Sequence, residues 1–400
     1  MRVLVLTQHF PPEITAASFR LEAFARALAD RGHEVHVLCP VPNHPSGLVA
    51  DGYRHRPIVR RVEAGIRVSH LWVVTSSRKT LWTRLAYYGS YAAAGALAGA
   101  LGKRPDVILA SSPPLTVAVP AGMLAHRHRA PLVLDVRDLW PASAVALGEL
   151  RPGRLLAAAE RLERWAYRSA ERLITANEAF ARSIAATAPP GRGVEVIPNG
   201  TTAAWLEAGK ATVPRASLGL PEDRFILAYA GNFGLAHGLE IAVDAVGLLD
   251  PDVLLLLIGE GPRRASVAER ARPLGGRVAL RGLMEPADAA RHLRAADALL
   301  VSERQDSTVS AKLYDMCAIG RPIIAACTGE LRRVVEREKV ALPVPHGDAR
   351  ALAEAVRALR SDPALGQALI AAARRFAEAH RRERQGERAA ALLESVAATR

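Results

Sequence analysis

The chain has 400 residues, half of them hydrophobic, and a formal net charge of +13 at pH 7. This length exceeds what one hydrophobic core usually serves, so we expect two domains of roughly 200 residues each. The positive charge favours an anionic partner, but it comes mostly from Arg residues scattered along the chain. Because a long basic tract and interleaved aromatic residues are missing from the sequence, we expect no nucleic-acid partner.

The N-terminal sequence MRVLVLTQHF predicts a first strand, since its apolar run is too short for a signal peptide. Three cysteines, Cys39, Cys317 and Cys327, form neither a paired framework nor a metal-binding spacing. This usage is typical of a reducing compartment and predicts a cytoplasmic location.

Short apolar runs rich in β-branched residues alternate with helical patterns along the whole chain. The predicted strands cover residues 3–7, 34–39, 106–110, 131–136, 172–176, 194–198, 225–230, 253–258, 277–281, 297–301 and 321–325. Near-continuous hydrophobic strands separated by helices indicate parallel sheets that are covered on both faces. With right-handed crossovers, the pattern predicts an α/β fold of two doubly wound domains.

The domain boundary is expected near residues 199–220, where periodicity is weak and a fresh strand follows. We therefore assign residues 1–200 to a first domain and residues 201–375 to a second. After residue 345 the pattern is helical, and residues 376–400 are predicted to form a helix that packs back on the first domain.

Residues 80–104, TLWTRLAYYGSYAAAGALAGALGKR, carry aromatic residues at one end and follow the basic residues Arg78 and Lys79. A spanning helix needs about 20 strongly apolar residues, and this one is diluted by Ala and Gly. We predict a buried helix of the first domain. The alternative is a helix whose aromatic end contacts a membrane surface.

Open α/β sheets bind ligands at the carboxyl ends of their strands. The first such loop, TQHFPPE (7–13), lacks a G-x-G-x-x-G sequence, which argues against a nicotinamide or flavin enzyme. The chain also contains no P-loop sequence and no G-x-S-x-G nucleophile elbow. His126 and His128 form a pair without a suitably spaced third ligand, so no metal site is expected.

Three loops of the second half have the residues of an anion site. The first, YAGNFGLAHGLE (229–240), and the second, LIGEGPRR (257–264), are glycine-rich strand-to-helix turns, which let backbone amides approach an anion. The third, VSAKLYDMCAIGRP (309–322), places Lys312 and Asp315 on one helical face. Together they favour a nucleotide or sugar-phosphate pocket.

In the first half, the loop VRDLWP (136–141) sets Arg137 beside Asp138 after a predicted strand. The pair could take part in chemistry, form a structural ion pair, or place Asp138 as a helix N-cap. Glu13 and Arg20 have the same alternatives.

Seven segments in this order resemble the retaining GT-B glycosyltransferases of family 4, over essentially the full chain. Within that family the chain is most similar to the bacterial enzymes of O-antigen and capsule synthesis, typified by N-acetylfucosamine transferases. The segments are FPPE with Arg20, RGHEVHVL (31–38), VRDLWPASAVALG (136–148), VIPNG (196–200), AGNFGLAHGLE (230–240), GEGPRR (259–264) and SAKLYDMCAIGRPII (310–324).

The resemblance implies two Rossmann-like domains that face a cleft, with a nucleotide sugar held mainly by the second. It implies that Asp315 binds the ribose hydroxyls and that Lys312 compensates phosphate charge. The donor-binding residues it implies are Gly231, Asn232, His237, Glu260, Arg304, Lys312, Leu313 and Asp315. Arg137, Asp138 and Lys312 are implied near the reacting centre, and Glu13 and Arg20 on the acceptor side.

Three departures from the family pattern bear on the site. The family has two glutamates separated by seven residues, and here these positions are Ser307 and Asp315, with Asp306 as a substitute for the first. The family's Arg and Lys of the glycine loop correspond to Asn232 and His237, which leaves the diphosphate charge to Lys312 and Arg304. Arg137 stands where many relatives have a His.

The resemblance implies a retaining glycosyltransferase, and we expect it to need no cofactor and no metal. The expected donor is a UDP-sugar, with GDP and dTDP left open, and the expected acceptor is a lipid-linked saccharide of cell-surface polysaccharide assembly. The protein is then expected at the inner face of the plasma membrane, bound peripherally to anionic lipid. The alternatives are tailoring of a soluble natural product, a sugar-nucleotide epimerase, and a non-catalytic partner subunit.

Overall fold

The structure, a computed structural model, describes residues 1–44, 46–78, 80–146, 148, 150–304 and 306–399. Lys79, beside the aromatic segment, and Leu147, in the 136–148 motif, lie outside the described residues. The chain forms two compact units, one of residues 1–198 with 382–400 and one of residues 199–381.

The first unit is built on a sheet that, in the described residues, has eight strands in the order β3-β4-β2-β1-β5-β6-β7-β8. All pairings are parallel except the antiparallel hairpin of β3 and β4. The strands are β1 (Arg2–Thr7), β2 (Glu34–Pro40), β3 (Ile58–Glu63), β4 (Ile66–Leu71), β5 (Val107–Ser112), β6 (Leu132–Val136), β7 (Arg172–Thr175) and β8 (Val194–Val196).

Helices cover both faces of this sheet. They are α1 (Ala16–Asp30), α2 (Leu81–Ala100), α3 (Ala118–His128), α4 (Ala142–Ala146), α5 (Arg154–Ser169) and α6 (Glu178–Thr187). Because side chains alternate along a strand, Val3 and Val5 of β1 join one core, and Leu4 and Leu6 join the other. The Thr15 hydroxyl begins α1 by accepting a hydrogen bond from the Ser18 amide.

The second unit is built on an all-parallel sheet with six strands among the described residues, in the order β11-β10-β9-β12-β13-β14. The strands are β9 (Phe225–Ala230), β10 (Val253–Ile258), β11 (Val278–Arg281), β12 (Ala298–Glu303), β13 (Ile323–Cys327) and β14 (Leu342–Pro345). Every residue of β10 is buried, as expected of a parallel sheet covered on both faces.

The helices of the second unit follow the strands in alternation and then form a helical C-terminal run. They are α7 (Ala203–Ala208), α8 (Glu240–Gly247), α9 (Arg264–Ala271), α10 (Pro286–Ala295), α11 (Ala311–Ile319), α12 (Gly329–Glu338), α13 (Ala349–Ser361) and α14 (Pro363–Ala379).

The last helix, α15 (Arg382–Ala398), belongs to the first unit and packs on α1. Leu393 of α15 lies in one core cluster with Leu21 and Phe24 of α1. The two backbones come so close that a Cβ atom at Gly386 would overlap the Ala23 carbonyl oxygen.

The predicted fold class is confirmed, since both units are α/β with Rossmann-like sheets that are parallel apart from the β3–β4 hairpin. The β3–β4 hairpin and the edge strand β14 are not among the predicted strands. The hairpin sequences IVRRVE and IRVSHL are interrupted by charged and polar residues, so they lack the continuous apolar run of a buried strand.

Helix α2 belongs to the first unit, as predicted, but it is only partly buried. Tyr91 is buried and its hydroxyl donates to the Leu38 carbonyl at 2.8 Å, whereas Trp82 is 76 % exposed. None of the described helices combines the length and the apolar character that crossing a membrane requires.

Candidate active site

In the second unit, the loop after β9 brings its backbone against Lys312. Gly231 has φ of 152°, and a Cβ atom there would lie 2.6 Å from the Lys312 Nζ. Gly259, after the neighbouring β10, has φ of 137°, and a Cβ there would overlap the Gly231 carbonyl. Glycine is therefore required at both positions for the two loops and the lysine to share this space.

The Lys312 ammonium is held against Tyr229. Its Nζ donates to the Tyr229 Oη at 2.6 Å and lies 4.1 Å from the ring centroid, and the Tyr229 hydroxyl donates onward to the Asn232 carbonyl at 2.8 Å. Burial lowers the pKa of Lys312 to about 8, and the Glu303 carboxylate opposes that shift. Because an ammonium has three N–H groups, donors remain for an anionic ligand.

Two buried polar atoms near this lysine make no hydrogen bond of good geometry to the described residues, although the two groups are close enough to interact with each other. One is the Glu303 Oε2 at the end of β12, and the other is the Ser310 Oγ at the start of α11. Burial raises the pKa of Glu303. The nearby Ser310 hydroxyl and the Lys312 ammonium act in the opposite direction and limit this rise. Since buried polar groups are normally satisfied, this edge of the sheet has the character of a binding site.

His237 is held as a neutral ring. Its Nδ1 lies 3.0 Å from the Ser302 carbonyl oxygen, which makes this nitrogen the proton-bearing one. Burial and the neighbouring Lys312 lower the pKa of His237 to about 4. His237 therefore adds no positive charge at pH 7.

Of the other predicted donor residues, Glu260 and Arg304 follow the ends of β10 and β12, whereas Leu313 and Asp315 lie on α11. Asp315 accepts a hydrogen bond from the buried Thr201 hydroxyl at 2.9 Å, and Leu313 is fully buried in the core. The Arg304 side chain is exposed while its amide donates to the Ala236 carbonyl at 2.7 Å. Glu260 lies 3.4 Å from Arg264 at the surface. Their binding roles stay predictions.

In the first unit, Arg20 and Arg137 both lie close to the buried carboxylate of Asp135, a residue that we did not predict as part of a site. Arg20 lies 2.9 Å from the Asp135 Oδ1, and its Nη1 donates to the Ile197 carbonyl at 2.7 Å. The Ser111 hydroxyl donates to the Asp135 Oδ2 at 2.9 Å and accepts from the Arg137 Nε at 2.9 Å. An Asp within the apolar run PLVLDV (131–136) was the signal that could have revealed this network.

Arg137 and Asp138 are not paired with each other in a close ion pair. Burial lowers the pKa of Arg137 to about 10, although Asp135 raises it, so the guanidinium is charged at pH 7. Asp138 accepts from the Ser143 hydroxyl at 3.0 Å. The catalytic roles of both residues stay predictions.

Glu13 organises the loops after β1 and β2. Its Oε1 accepts from the amides of Asn43 at 2.8 Å and His44 at 2.9 Å, and its Oε2 lies 2.5 Å from the His9 Nδ1. Burial would raise the pKa of Glu13, but these hydrogen bonds lower it overall. Its assignment to the acceptor side, like that of Arg20, stays a prediction.

Of the histidine pair His126 and His128 in the first unit, His128 has a structural role. The His128 ring lies in the interior, with Nε2 3.1 Å from the Gly99 carbonyl oxygen. Across the described positions, no cluster of three or more His, Cys, Asp or Glu side chains is arranged to hold a metal ion.

Two family matches cover most of the chain. Residues 15–200 match the family described as glycosyl transferase 4-like domain, and residues 224–362 match glycosyl transferases group 1. The chain belongs to the family 4 glycosyltransferases of the GT-B fold.

Individual relatives agree with this assignment. The chain is 25 % identical over 333 residues to the putative colanic acid biosynthesis glycosyl transferase WcaI of Escherichia coli K12, covering 80 % of this chain and 82 % of WcaI. Its fold matches sucrose-phosphate synthase from Thermosynechococcus elongatus with a TM-score of 0.77, 20 % identity and full coverage of both chains. It also matches Anabaena Alr3699/HepE, solved in complex with UDP, with a TM-score of 0.73, 18 % identity, and coverage of 99 % of this chain and 100 % of HepE.

Proposed function

We propose that this glycosyltransferase moves a sugar, with retention of anomeric configuration, from a UDP-sugar to a lipid-linked saccharide. The observation that carries the proposal is Lys312. It is a cation with a displaced pKa, held against Tyr229 and Gly231 at the carboxyl end of a parallel sheet. Perturbed ionisable groups at such an edge mark functional sites.

In the proposed reaction, the bond from the anomeric carbon to the diphosphate oxygen breaks, and the diphosphate leaves with the electron pair. The acceptor hydroxyl forms the new bond to that carbon on the same face, and its proton passes to the departing diphosphate. Lys312, together with the backbone amides near Gly231, would stabilise the negative charge that develops on this leaving group. No protein nucleophile is needed, so positioning supplies much of the remaining rate.

The donor and the pathway are supported by the relatives. HepE has been solved with UDP, and WcaI is named for colanic acid, a polysaccharide. In this chain Asp315 would hold the ribose, and its hydrogen bond from Thr201 would keep the carboxylate oriented for that contact.

A membrane-held acceptor is supported by the surface around α2. Trp82 and Leu85 at its beginning are 76 % and 45 % exposed, and Trp72 after β4 is 51 % exposed. Arg78 and Arg84 are exposed beside them. Exposed Trp with Arg is the composition of a membrane-interface contact, and each basic residue near an anionic leaflet contributes about 1 kcal/mol.

The reaction is tested by a turnover screen of UDP-, GDP- and dTDP-sugars with wild type and Lys312→Ala. Losing one contact to the developing diphosphate should cost about 2–4 kcal/mol of barrier, or roughly 10²–10³ in rate. Lys210→Ala is the matched control, because Lys210 is exposed and its ammonium pairs with Glu207, three residues earlier in the chain. Equal turnover in the Lys312 and Lys210 variants, or conversion of the donor into an epimer, would overturn the proposal.

The membrane contact is tested by co-sedimentation with vesicles of anionic lipid at low and at high salt. Binding should be lost at high salt, because the Debye length is only about 8 Å already at physiological ionic strength. The double variant Trp82→Ser, Leu85→Ser should bind the vesicles less than wild type does. Leu97→Ser with Leu101→Ser, at the other end of the helix and also exposed, should not. Wild type that stays in the supernatant at low salt contradicts the membrane contact.

A further inference from the structure

The first unit contains a cavity of about 160 Å³ that none of the roles above uses. It is formed by the loops after β1 and β2 and by the beginning of α2. His9 and His44 line it from the loops, and Arg84 and Tyr87 line it from the helix, with Arg78 just before. Its described lining side chains are polar except at Gly47, and none of them is a carboxylate.

The wall of the cavity is fixed from behind by Glu13. One carboxylate oxygen holds the Asn43 and His44 amides, and the other engages the His9 Nδ1 at 2.5 Å. The Asn43 side chain in turn donates to the Tyr87 hydroxyl at 3.3 Å, which ties the β2 loop to α2. The negative charge of Glu13 therefore sits behind the wall, while hydrogen-bond donors and two guanidinium groups border the cavity itself.

We propose that this cavity binds the phosphate or diphosphate group of the acceptor substrate. The inference deepens the proposed function and rests on it, since it names the anionic part of the molecule that receives the sugar. Arg is suited to such a group, because its planar fork of N–H donors matches phosphate oxygens.

The size of the cavity argues for an anionic group rather than a whole saccharide. Sites that enclose a drug-sized ligand measure roughly 300–1,000 Å³, and this cavity is about half the lower value. The described lining residues include no carboxylate, so they also lack the charged acceptors that sugar hydroxyl groups use. The saccharide itself would therefore lie outside the cavity, with its phosphate held inside.

A lipid phosphate and a soluble sugar phosphate share this chemistry, and the surroundings of the cavity favour the lipid. Thr83, Arg84 and Tyr87 line the cavity, whereas Trp82 and Leu85 of the same two turns are exposed. An acyl or prenyl chain attached to the bound phosphate would meet those two apolar side chains.

The test is isothermal titration of the full chain with three probes: inorganic diphosphate, geranyl monophosphate and glucose 1-phosphate. It is performed in a Lys312→Ala background so that the donor site does not capture the anion. Arg78→Gln with Arg84→Gln should weaken diphosphate binding by about tenfold or more, because charge-assisted hydrogen bonds are lost. Arg104→Gln, an exposed arginine outside the cavity, is the matched control and should bind like its parent. Thermal unfolding of each variant verifies the fold.

Loss of binding in the double variant alone supports the site, and tighter binding of geranyl monophosphate than of glucose 1-phosphate identifies the lipid as the source. The reverse preference identifies a soluble phosphorylated acceptor. Absence of diphosphate binding, or equal binding in the double variant and the Arg104 control, overturns the inference. Titration of wild type with UDP tests the donor site separately, so the failure of one site is distinguishable from the failure of the other.

Discussion

At the scale of single residues, burial decides which charges the two units carry. Lys312 and Arg137 both have lowered pKa values because they are buried, and each is opposed by a nearby carboxylate, Glu303 and Asp135 respectively. The shift puts the pKa of Lys312 close to physiological pH, whereas Arg137 stays fully charged. In the proposed donor site, Lys312 is therefore the group through which pH would act.

The affinity for UDP should fall as the pH rises through about 8, the pKa of Lys312. The protonated ammonium attracts the diphosphate, and above its pKa that attraction is lost. Titration calorimetry across the neutral and alkaline range measures the effect. Glu303→Gln should move the decline to lower pH, since the carboxylate favours the charged lysine. If Lys312→Ala shows the same decline as wild type, another group titrates.

A second residue-scale prediction concerns the stability of the first unit. Asp135→Asn leaves the buried Arg20 and the partly buried Arg137 without their counter-charge, so the free energy of unfolding should fall by about 3–5 kcal/mol. Urea denaturation measures the change. Glu22→Gln removes an exposed pair with Arg26 and should cost less than about 1 kcal/mol. Equal losses in both variants would mean that the buried network does not stabilise the unit.

At the scale of elements, close packing of backbones sets the positions of strand ends and helices. In the second unit, Gly231 and Gly259 let two loops approach Lys312. In the first unit, Gly386 lets α15 contact α1. Each of these glycines lacks room for a Cβ atom, so the geometry of both units depends on positions that carry no side chain.

Gly386→Leu should therefore destabilise the first unit by about 1–3 kcal/mol, because the added side chain forces α15 away from α1. Gly89→Leu is the control, since Gly89 is also helical but has open space around its Cα. That variant should be neutral or stabilising by up to about 1 kcal/mol, the helix-propensity cost of glycine. Thermal and urea unfolding compare the two, and a stable Gly386 variant would show that the helices can separate at no cost.

At the scale of the whole molecule, the two units differ in the number of chain segments that build them. The second unit is one continuous segment, residues 199–381, whereas the first needs the terminal segment 382–400. Within that segment, Ala389, Ala390 and Leu393 are fully buried in a core of the first unit.

A fragment of residues 199–381 should consequently fold alone, unfold cooperatively and bind UDP. A fragment of residues 1–198 should aggregate, because the face of α1 that α15 covers is left exposed to water. Adding a peptide of residues 382–400 should restore solubility and a cooperative transition in circular dichroism. A soluble 1–198 fragment with an unchanged melting temperature would show that α15 is dispensable.

The sequence by itself determined the fold class, most of the strands and the loops that carry the candidate donor residues. Continuous apolar runs report burial on both faces of a strand, and the glycine turns and the VRDLWP and AKLYDMCAIGRP segments are local signals. The hairpin β3–β4 was not predicted because its strands carry charged residues on exposed faces. Their sequences therefore lack the continuous apolar run that indicates a buried strand.

Only the tertiary structure decided which residues act on one another. Arg20 and Asp135 lie 115 positions apart, and Lys312 and Tyr229 lie 83 apart, so no periodicity in the chain relates them. The same holds for the cavity bounded by His9, His44 and Arg84, whose members come from three separate elements. Spacing along a sequence specifies which face of an element a side chain occupies, whereas the order of strands in a sheet specifies its neighbours. Burial, pKa and site geometry depend on those neighbours.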